Sequence, residues 1–275
     1  MAVGHLLAPE QQWSTEHVDR VRATIGDEAC RRLGIFALPD GFLLSVVVPV
    51  YNEAATIDDV VERLHATGLP LEIVIVDDGS TDGTSDRLAS LGEHEDVQVI
   101  AFGSNRGKGA ALRSGFTAAS GEVVVVQDAD REYSPEDFRY LLQPILAGEA
   151  DVAYGTRYGH HDRRVSPFWH QTVNRCITLL ASIAIGLRLS DVETCYKMMR
   201  RERLLEVLPD LRENRFGIEI EITARLAAAG ASFTERPIRY EHRWYDQGKK
   251  IGWKDGVAAL GCIVKYSRPA LALRR

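Results

Sequence analysis

The pattern of apolar and polar residues changes near position 43. Residues 1–42 carry mixed charge with some helical periodicity, which predicts a helical preamble packed on a main domain. After it, short apolar runs alternate with amphipathic segments. The first run, LLSVVVPVY at 43–51, is rich in β-branched residues and does not alternate with polar ones. Such a run predicts a parallel strand that is covered on both faces.

Five strands of this kind are predicted. After the first they are LEIVIVDD, VQVIAFG, EVVVVQD and DVAYGTRY. Amphipathic segments lie between them, one with Thr56 as a helix N-cap and Gly68 as its stop. Another begins with Ser134 and Pro135, which suit a first helical turn. Strands that alternate with helices predict β-α-β units and an α/β fold with a mostly parallel sheet and helices on both faces.

Polar residues follow four of these strands at the point where each strand ends. They read YNE after the first strand, DDGS after the second, DADRE after the fourth and GTRY after the fifth. Ligands of such sheets bind at the carboxyl ends of the strands. We therefore expect the four loops to meet at one edge and to form the functional site.

The loop after the fourth strand is strongly acidic. Asp128, Asp130 and Glu132 lie at alternate positions and repel one another unless a cation neutralises them. Oxygen-only ligands favour Mg²⁺ or Mn²⁺. The alternative is a solvated acidic turn with Arg131 as its counter-charge.

The glycine-rich loops do not match the common phosphate-binding fingerprints. A dinucleotide fingerprint would place GxGxxG after the first strand, where this chain has PVYNEAAT, so a Rossmann oxidoreductase is disfavoured. The carboxylates of VDDGSTDGT suit hydrogen bonds to a base and a ribose, or else a tight turn with a helix cap. In NRGKGAALRSG the P-loop spacing is absent, and Lys108 or Arg106 is expected to face an anionic ligand.

Two later segments contribute further candidates. The stretch 240–256 combines aromatic residues and three glycines with Arg243, Lys249 and Lys250, which favours a loop that closes over phosphates rather than a merely solvated basic loop. In the segment ENRFGIEIEITARL, Glu219 and Glu221 lie on different helix faces. Glu221 is predicted to form a surface pair with Arg225, which leaves Glu219 for the site.

Composition narrows the class of protein. With 275 residues, 45% of them hydrophobic and 26% charged, the chain is typical of a globular protein. A net charge of −6 argues against general nucleic-acid binding, although the C-terminal stretch 236–275 is locally basic. The four cysteines form no CxxC pair, which indicates reduced thiols in a cytoplasmic protein. We expect neither a signal peptide nor a membrane span.

Seven motifs, taken in order, resemble those of the family-2 glycosyltransferases, which have the Rossmann-like GT-A fold. They are VVVPVYNE, VIVDDGSTDGT, NRGKGAALRSG, QDAD, YGTRY, DVETCYKMMRRE and NRFGIEIEITARL. The likeness is to the branch of dolichyl-phosphate mannose synthases and bacterial polyprenyl-phosphate glycosyltransferases. It covers about residues 43–256, which are expected to form one domain, with the helical extension 1–42 before it and an amphipathic helix or tail at 257–275.

The resemblance implies an inverting transfer of a hexose from a nucleotide-sugar donor of the GDP-mannose or UDP-glucose type. It implies a nucleotide site, a metal site for Mg²⁺ or Mn²⁺, a phosphate site and a catalytic group. The nucleotide site would comprise Pro49, Tyr51, Glu53, Asp77, Lys108 and Asp128, the metal site Asp128, Asp130 and Glu132, the phosphate site Arg157, Arg243, Lys249 and Lys250, and the catalytic group Asp130, Arg157, Glu219 and Arg243. Two departures stand out: Glu132 replaces a Gln that is common in the mannose synthases, and ETCYK replaces the family's TSGFK/R.

The acceptor is left open between two chemistries. A polyprenyl phosphate is already an anion near neutral pH and needs no strong base. A hydroxyl of a saccharide, small molecule or protein would need a carboxylate base such as Glu219. The apolar segments FWHQTVNRCITLLASIAIGL and GWKDGVAALGCIVKYSRPALALRR suit peripheral contact with the inner face of a membrane, or packing against the sheet or a second subunit. A nucleotide-sugar-binding protein without turnover and a nucleotidyltransferase are the alternatives from other classes.

Overall fold

A computed structural model of the chain describes residues 9–158, 168–242 and 253–267. These residues form seven strands and ten α-helices. The strands are β1 (Leu44–Val50), β2 (Leu71–Asp77), β3 (Val97–Ala101), β4 (Val123–Val126), β5 (Val152–Thr156), β6 (Lys197–Arg200) and β7 (Phe233–Pro237). The helices are α1 (Thr15–Ile25), α2 (Asp27–Leu33), α3 (Ile57–His65), α4 (Thr84–Leu91), α5 (Lys108–Ala118), α6 (Phe138–Leu146), α7 (Phe168–Ile185), α8 (Arg201–Val207), α9 (Ile218–Ala228) and α10 (Trp253–Lys265).

The strands pair in the order β3-β2-β1-β4-β6-β5-β7. Strand β1 lies parallel to both β2 and β4, and its side chains are almost all buried, as its unbroken apolar run predicts. Strand β6 is antiparallel to β4 and to β5. The α/β class with a mostly parallel sheet is therefore confirmed.

Two strands, β6 and β7, were not predicted from the sequence. Strand β6 has only four residues, KMMR, and leads directly into α8, so it offers no period to detect. Strand β7 has the polar sequence FTERP and lies at the edge of the sheet. Because β6 runs against its neighbours, its first residue lies at the edge where β4 and β5 end. That position brings the loop before β6 into the functional edge.

The helix boundaries differ from the expected ones in two places. Thr56 precedes α3, but its hydroxyl donates to Ala129 O (2.8 Å) and to the carboxylate of Glu53 (2.9 Å) and does not cap the helix. Ser134 and Pro135 lead into a single 3-10 turn, and α6 begins only at Phe138. The hydroxyl of Thr56 thus links the loop after β1 to the loop after β4.

The segment just before α1 packs on the main domain through the aromatic side chain of Trp13, among other contacts. Trp13 is buried in the main core, contacts the ring of Phe36 and donates a hydrogen bond to Thr67 O at 3.2 Å. A second, smaller core joins α7, α9 and α10 and includes Ile177, Ile220 and Ile263. The residue boundaries of the proposed domains stay predictions, and α10 begins at Trp253, ahead of the expected limit at 257.

Candidate active site

The loops after β1 and β2 hold each other in place. Asn52, in a left-handed conformation with φ 52°, accepts a hydrogen bond from Thr81 N at 2.7 Å. Asp77 accepts bonds from Ser80 N (3.0 Å) and from the hydroxyl of Ser85 (2.7 Å). Pro49 lies in β1 beside this turn, and Tyr51 follows it with partial exposure. These residues lie at the carboxyl ends of β1 and β2, which is the expected nucleotide end of the sheet.

The second acidic residue after β2 supports the backbone. Asp78 accepts hydrogen bonds from the backbone N–H groups of Arg106 (2.6 Å) and Gly107 (2.8 Å), immediately before α5. Gly79, at φ 77°, comes so near to Ser104 that a Cβ atom would lie 2.7 Å from the Ser104 carbonyl carbon. Among the residues that the structure describes, neither α4 nor α5 has a side-chain cap, so Asp78 supports the turn but does not cap a helix. Its effect is to fix the start of α5, where Lys108 is located.

Lys108 joins the loop after β4 to helix α9. Its Nζ lies 2.8 Å from Asp128 Oδ1 and 2.9 Å from Glu219 Oε1. Burial by itself lowers the pKa of a lysine, but Asp128 and Glu219 outweigh it and hold the pKa of Lys108 well above its usual value. Lys108 is thus a permanently charged cation inside the site.

Glu219 contacts a second buried lysine. Lys197, the first residue of β6, lies with its Nζ 2.6 Å from Glu219 Oε2 and is fully buried. The same ammonium group donates to the carbonyl oxygens of Val192 (2.9 Å) and Thr194. Lys108, Glu219 and Lys197 therefore form an alternating row of charges, which we call the lysine–glutamate row. The sequence analysis did not predict Lys197 as a site residue. The one motif that contains it is ETCYK, of which it is the last residue.

The three carboxylates after β4 form the acidic cluster: Asp128, Asp130 and Glu132. Burial, together with the charges of Asp128 and Glu132, raises the pKa of Asp130 to about 8. Glu132 donates its backbone N–H to Asp130 Oδ1 (3.1 Å) and accepts a bond from the hydroxyl of Tyr240 (2.9 Å). Within the described ranges, no three Asp, Glu, His or Cys side chains converge as a ready ligand set. The donor atoms and the excess negative charge at Asp130 nevertheless fit a hard divalent cation.

Arg157, after β5, is held by Asp191, which was not among the predicted site residues. Its guanidinium makes two bonds to Asp191, at 2.6 and 2.7 Å, and Asp191 is fully buried. Burial opposes the charge, but Asp191 keeps the pKa of Arg157 well above its usual value. The same guanidinium stacks over the ring of Tyr240 at 5.3 Å. Arg157 is therefore anchored next to the acidic cluster through Tyr240.

The remaining predicted residues have three different outcomes. Glu53 is buried beside the acidic cluster, and its carboxylate accepts a bond from Thr56. The pair of Glu221 with Arg225 is confirmed at 2.9 Å, but its surface position is wrong, because Glu221 is fully buried and accepts bonds from two backbone N–H groups. Arg243, Lys249 and Lys250 lie outside the described residues, so their phosphate-binding role stays a prediction.

The charged side chains described above gather at the carboxyl edge of an α/β sheet, where such sheets bind their ligands. Residues 45–208 match the sequence profile described as Glycosyl transferase family 2. The polyprenol monophosphomannose synthase of Mycolicibacterium smegmatis is 32% identical over 215 residues, which cover 75% of this chain and 80% of that protein. The chain belongs to glycosyl transferase family 2 and is a glycosyltransferase.

Two further comparisons agree with this assignment. The undecaprenyl-phosphate mannosyltransferase of Micrococcus luteus is 28% identical over 234 residues, which cover 83% of this chain and 94% of the relative. Among solved structures, glucosyl-3-phosphoglycerate synthase from Mycobacterium tuberculosis, in complex with Mn²⁺, UDP and phosphoglyceric acid, superposes with a TM-score of 0.64. At 20% identity, covering 96% of this chain and 84% of the other, it is similar in fold. The predicted GT-A fold is thus confirmed.

Proposed function

We propose that the protein transfers a hexose, with inversion, from a nucleotide sugar to a polyprenyl phosphate, and that it needs Mg²⁺ or Mn²⁺. The names of the two relatives support the acceptor class, because one is a polyprenol monophosphomannose synthase and the other an undecaprenyl-phosphate mannosyltransferase. The Mn²⁺ and UDP in the structural neighbour support the metal and donor class. The observation that carries the proposal is the environment of Glu219.

Glu219 is poorly suited to act as a general base. Each of its carboxylate oxygens faces an ammonium group, Lys108 at 2.9 Å and Lys197 at 2.6 Å, and the side chain is 3% exposed. A base must reach the proton that it removes and must gain stability by taking it up. Because an ammonium group contacts each carboxylate oxygen, neither oxygen is placed to reach the proton of an acceptor hydroxyl. An acceptor that is already ionised, such as a lipid phosphate, avoids the need for this step.

Different residues of the chain are suited to bind different parts of the donor. The turn around Asp77 suits the nucleoside, and the acidic cluster suits the diphosphate through a divalent cation. That cation, when bound to Asp128, Asp130 and Glu132, supplies Lewis-acid stabilisation of the departing diphosphate. Lys108 and Arg157 add fixed positive charge at the same edge. An oxygen of the acceptor phosphate attacks C1 of the hexose, and the C1–O bond breaks with its electron pair on the nucleoside diphosphate.

The exposed faces of α7 and α10 support peripheral contact with a membrane, which we propose is the cytoplasmic face. The two helices pack against each other and expose large apolar side chains to solvent. They include Leu179, Leu180 and Ile183 on α7 and Leu260 and Val264 on α10. Among the described residues, no helix combines the length and the apolarity that crossing a bilayer requires. We call these five side chains the apolar face.

A donor and metal screen tests the proposal. GDP- and UDP-hexoses are incubated with Mg²⁺, with Mn²⁺ or with EDTA, each with and without a short polyprenyl phosphate. We expect release of GDP or UDP only where metal and lipid phosphate are both present, together with a glycosylated lipid. Release that never responds to the lipid phosphate but responds to a sugar or a protein would favour a hydroxyl acceptor instead. Release of pyrophosphate from a nucleoside triphosphate would indicate a nucleotidyltransferase.

A further inference from the structure

The loop that enters β6 carries two polar groups that the rest of the protein does not satisfy. Within the described residues, Glu193 Oε1 and the hydroxyl of Thr194 are enclosed and have no hydrogen-bond partner. Buried polar groups in native proteins are nearly always paired, so an unpaired carboxylate oxygen indicates a missing partner. Thr194 is buried, whereas Glu193 as a whole residue is partly exposed.

The carboxylates around Glu193 all have cations of their own. Asp191 contacts Arg157 at 2.6 Å, and Glu219 lies between Lys108 and Lys197. In the part of the chain that the structure describes, Glu193 makes no such ion pair. Burial and the charge of Glu219 raise its pKa to about 7, although Lys197 and Arg157 act in the opposite direction. Among these three carboxylates, Glu193 therefore has no cation beside it within the described residues, and its Oε1 has no hydrogen-bond donor there.

The order of the strands locates this loop relative to a bound donor. The nucleoside end lies at β2 and β1, the acidic cluster follows β4, and β6 is the next strand. Adjacent strands are about 4.8 Å apart, so the start of β6 lies about one strand spacing beyond the acidic cluster. A donor with its diphosphate at the acidic cluster extends its sugar towards the loop before β6.

We propose that the carboxyl group of Glu193 accepts a hydrogen bond from a hydroxyl of the donor hexose and thereby sets the sugar preference. The inference rests on the proposed function. Of the substrate groups expected near this loop, the hexose is neutral and rich in hydroxyl donors, whereas the diphosphate and a lipid phosphate are anions that Glu193 would repel. Glu193 also stands where the TSGFK/R element has Thr, so this chain presents a longer, acidic acceptor at that position.

The test compares donors that lack one hydroxyl at a time. The nucleotide hexose that the wild type uses and its monodeoxy analogues are assayed with the wild type, Glu193→Gln, Glu193→Thr and Glu62→Gln. Glu62 is exposed on α3 and serves as the matched control. We expect one deoxy donor to lower kcat/KM of the wild type and of the control by about 10- to 100-fold, as for a hydrogen bond to a charged group. Glu193→Thr, whose shorter side chain no longer reaches the hydroxyl, should lose most of that difference. Glu193→Gln keeps an oxygen acceptor without the charge and should lose part of it, and the affinity of both variants for the free nucleoside diphosphate should be unchanged.

The inference is overturned if the Glu193 variants discriminate between parent and deoxy donors as strongly as the wild type. If Glu193→Gln fails to fold, the ratio of kcat/KM for the parent and deoxy donors is measured with Glu193→Thr instead. If no donor supports any transfer, the proposed function fails, and the inference is then decided by calorimetry. In that case the nucleotide sugar and its deoxy analogue must bind the wild type with different affinities and bind Glu193→Thr with similar ones.

Discussion

At the scale of single residues, the lysine–glutamate row places three buried or nearly buried charges in direct contact. Lys197 is fully buried, and its ammonium group is surrounded by Glu219 and by two backbone carbonyls. Removing one member of a buried ion pair leaves the other without compensation. Such changes destabilise proteins by about 3–5 kcal/mol.

Lys197→Met is therefore expected to lower the free energy of unfolding by about 3–5 kcal/mol in chemical denaturation. The matched control is Lys265→Met, whose ion pair with Glu213 at 2.5 Å is partly exposed to solvent. The control should lose at most about 1 kcal/mol, because exposed pairs contribute little. Equal losses in the two variants would show that the row does not stabilise the fold.

The role of Glu219 can be separated from that of a base by its effect on rate. With a lipid-phosphate acceptor, we expect Glu219→Gln to lower kcat by less than about 10-fold per folded molecule, and to leave the pH profile of kcat unchanged. Loss of a general base would instead cost about 10²- to 10⁴-fold. A loss of that size, together with disappearance of the acidic limb of the profile, would support the hydroxyl acceptor.

The raised pKa of Asp130 makes metal-free stability depend on pH. The pKa is about 8 in the folded protein, against roughly 4 for a free aspartate. The folded state thus holds a proton that the unfolded state has lost, so in EDTA the free energy of unfolding falls as pH rises from about 4 to about 8. We expect Asp130→Asn to remove most of this decline, which for a shift of this size is at most about 5 kcal/mol.

Thermal unfolding at several pH values, with and without Mg²⁺, measures both parts of this expectation. Added Mg²⁺ should raise the Tm of the wild type most at pH 8, where the acidic cluster is most fully ionised. Asp130→Asn should respond much less to the metal. A decline of the same size in the variant would mean that another group causes the pH dependence.

At the scale of secondary-structure elements, the apolar face of α7 and α10 has a function that can be tested separately from catalysis. Ile183 is 72% exposed on α7 and Val264 is 73% exposed on α10. Large apolar side chains exposed side by side on adjacent helices are typical of an interaction surface. Neither residue contributes to the main core, so changing them should leave the sheet intact.

The double variant Ile183→Asp with Val264→Asp is expected to lose most of its binding to anionic phospholipid vesicles in a flotation assay. Its activity on a short, water-soluble polyprenyl phosphate and its Tm should stay close to those of the wild type. Leu205→Asp is the control, because Leu205 is an exposed apolar residue on α8, away from this face. Vesicle binding that survives in the double variant but is lost in the control would exclude the apolar face as the membrane contact.

The secondary-structure elements also show which parts of the fold can be predicted from the sequence and which cannot. Long apolar runs such as β1 and β2 are recognisable because both of their faces are buried, and their order with helices predicts the α/β sheet and its functional edge. Strands β6 and β7 are short or polar, and only pairing with distant strands makes them strands. Helix α9 is buried almost all round, so the burial of Glu221 could not be inferred from a period.

At the scale of the whole molecule, the site depends on contacts between residues far apart in sequence. Asp128 was expected at the site from its place after a strand, but its partner Lys108 and the contact of Lys108 with Glu219 join three separate elements. Asp191 and Lys197 were missed for the same reason, because a buried ion pair has no local signature in a sequence. The resemblance to a family indicates the chemistry, whereas the electrostatic environment of Glu219 requires the fold.

The central claim is that the acceptor is a phosphate that needs no base. The most direct measurement compares nucleoside diphosphate release in the presence of a short polyprenyl phosphate and of the polyprenol of the same chain length, with the donor and metal that the screen selects. The account predicts release and a glycosylated product with the phosphate and none with the alcohol. Equal release with the alcohol, or release abolished by Glu219→Gln, would contradict it.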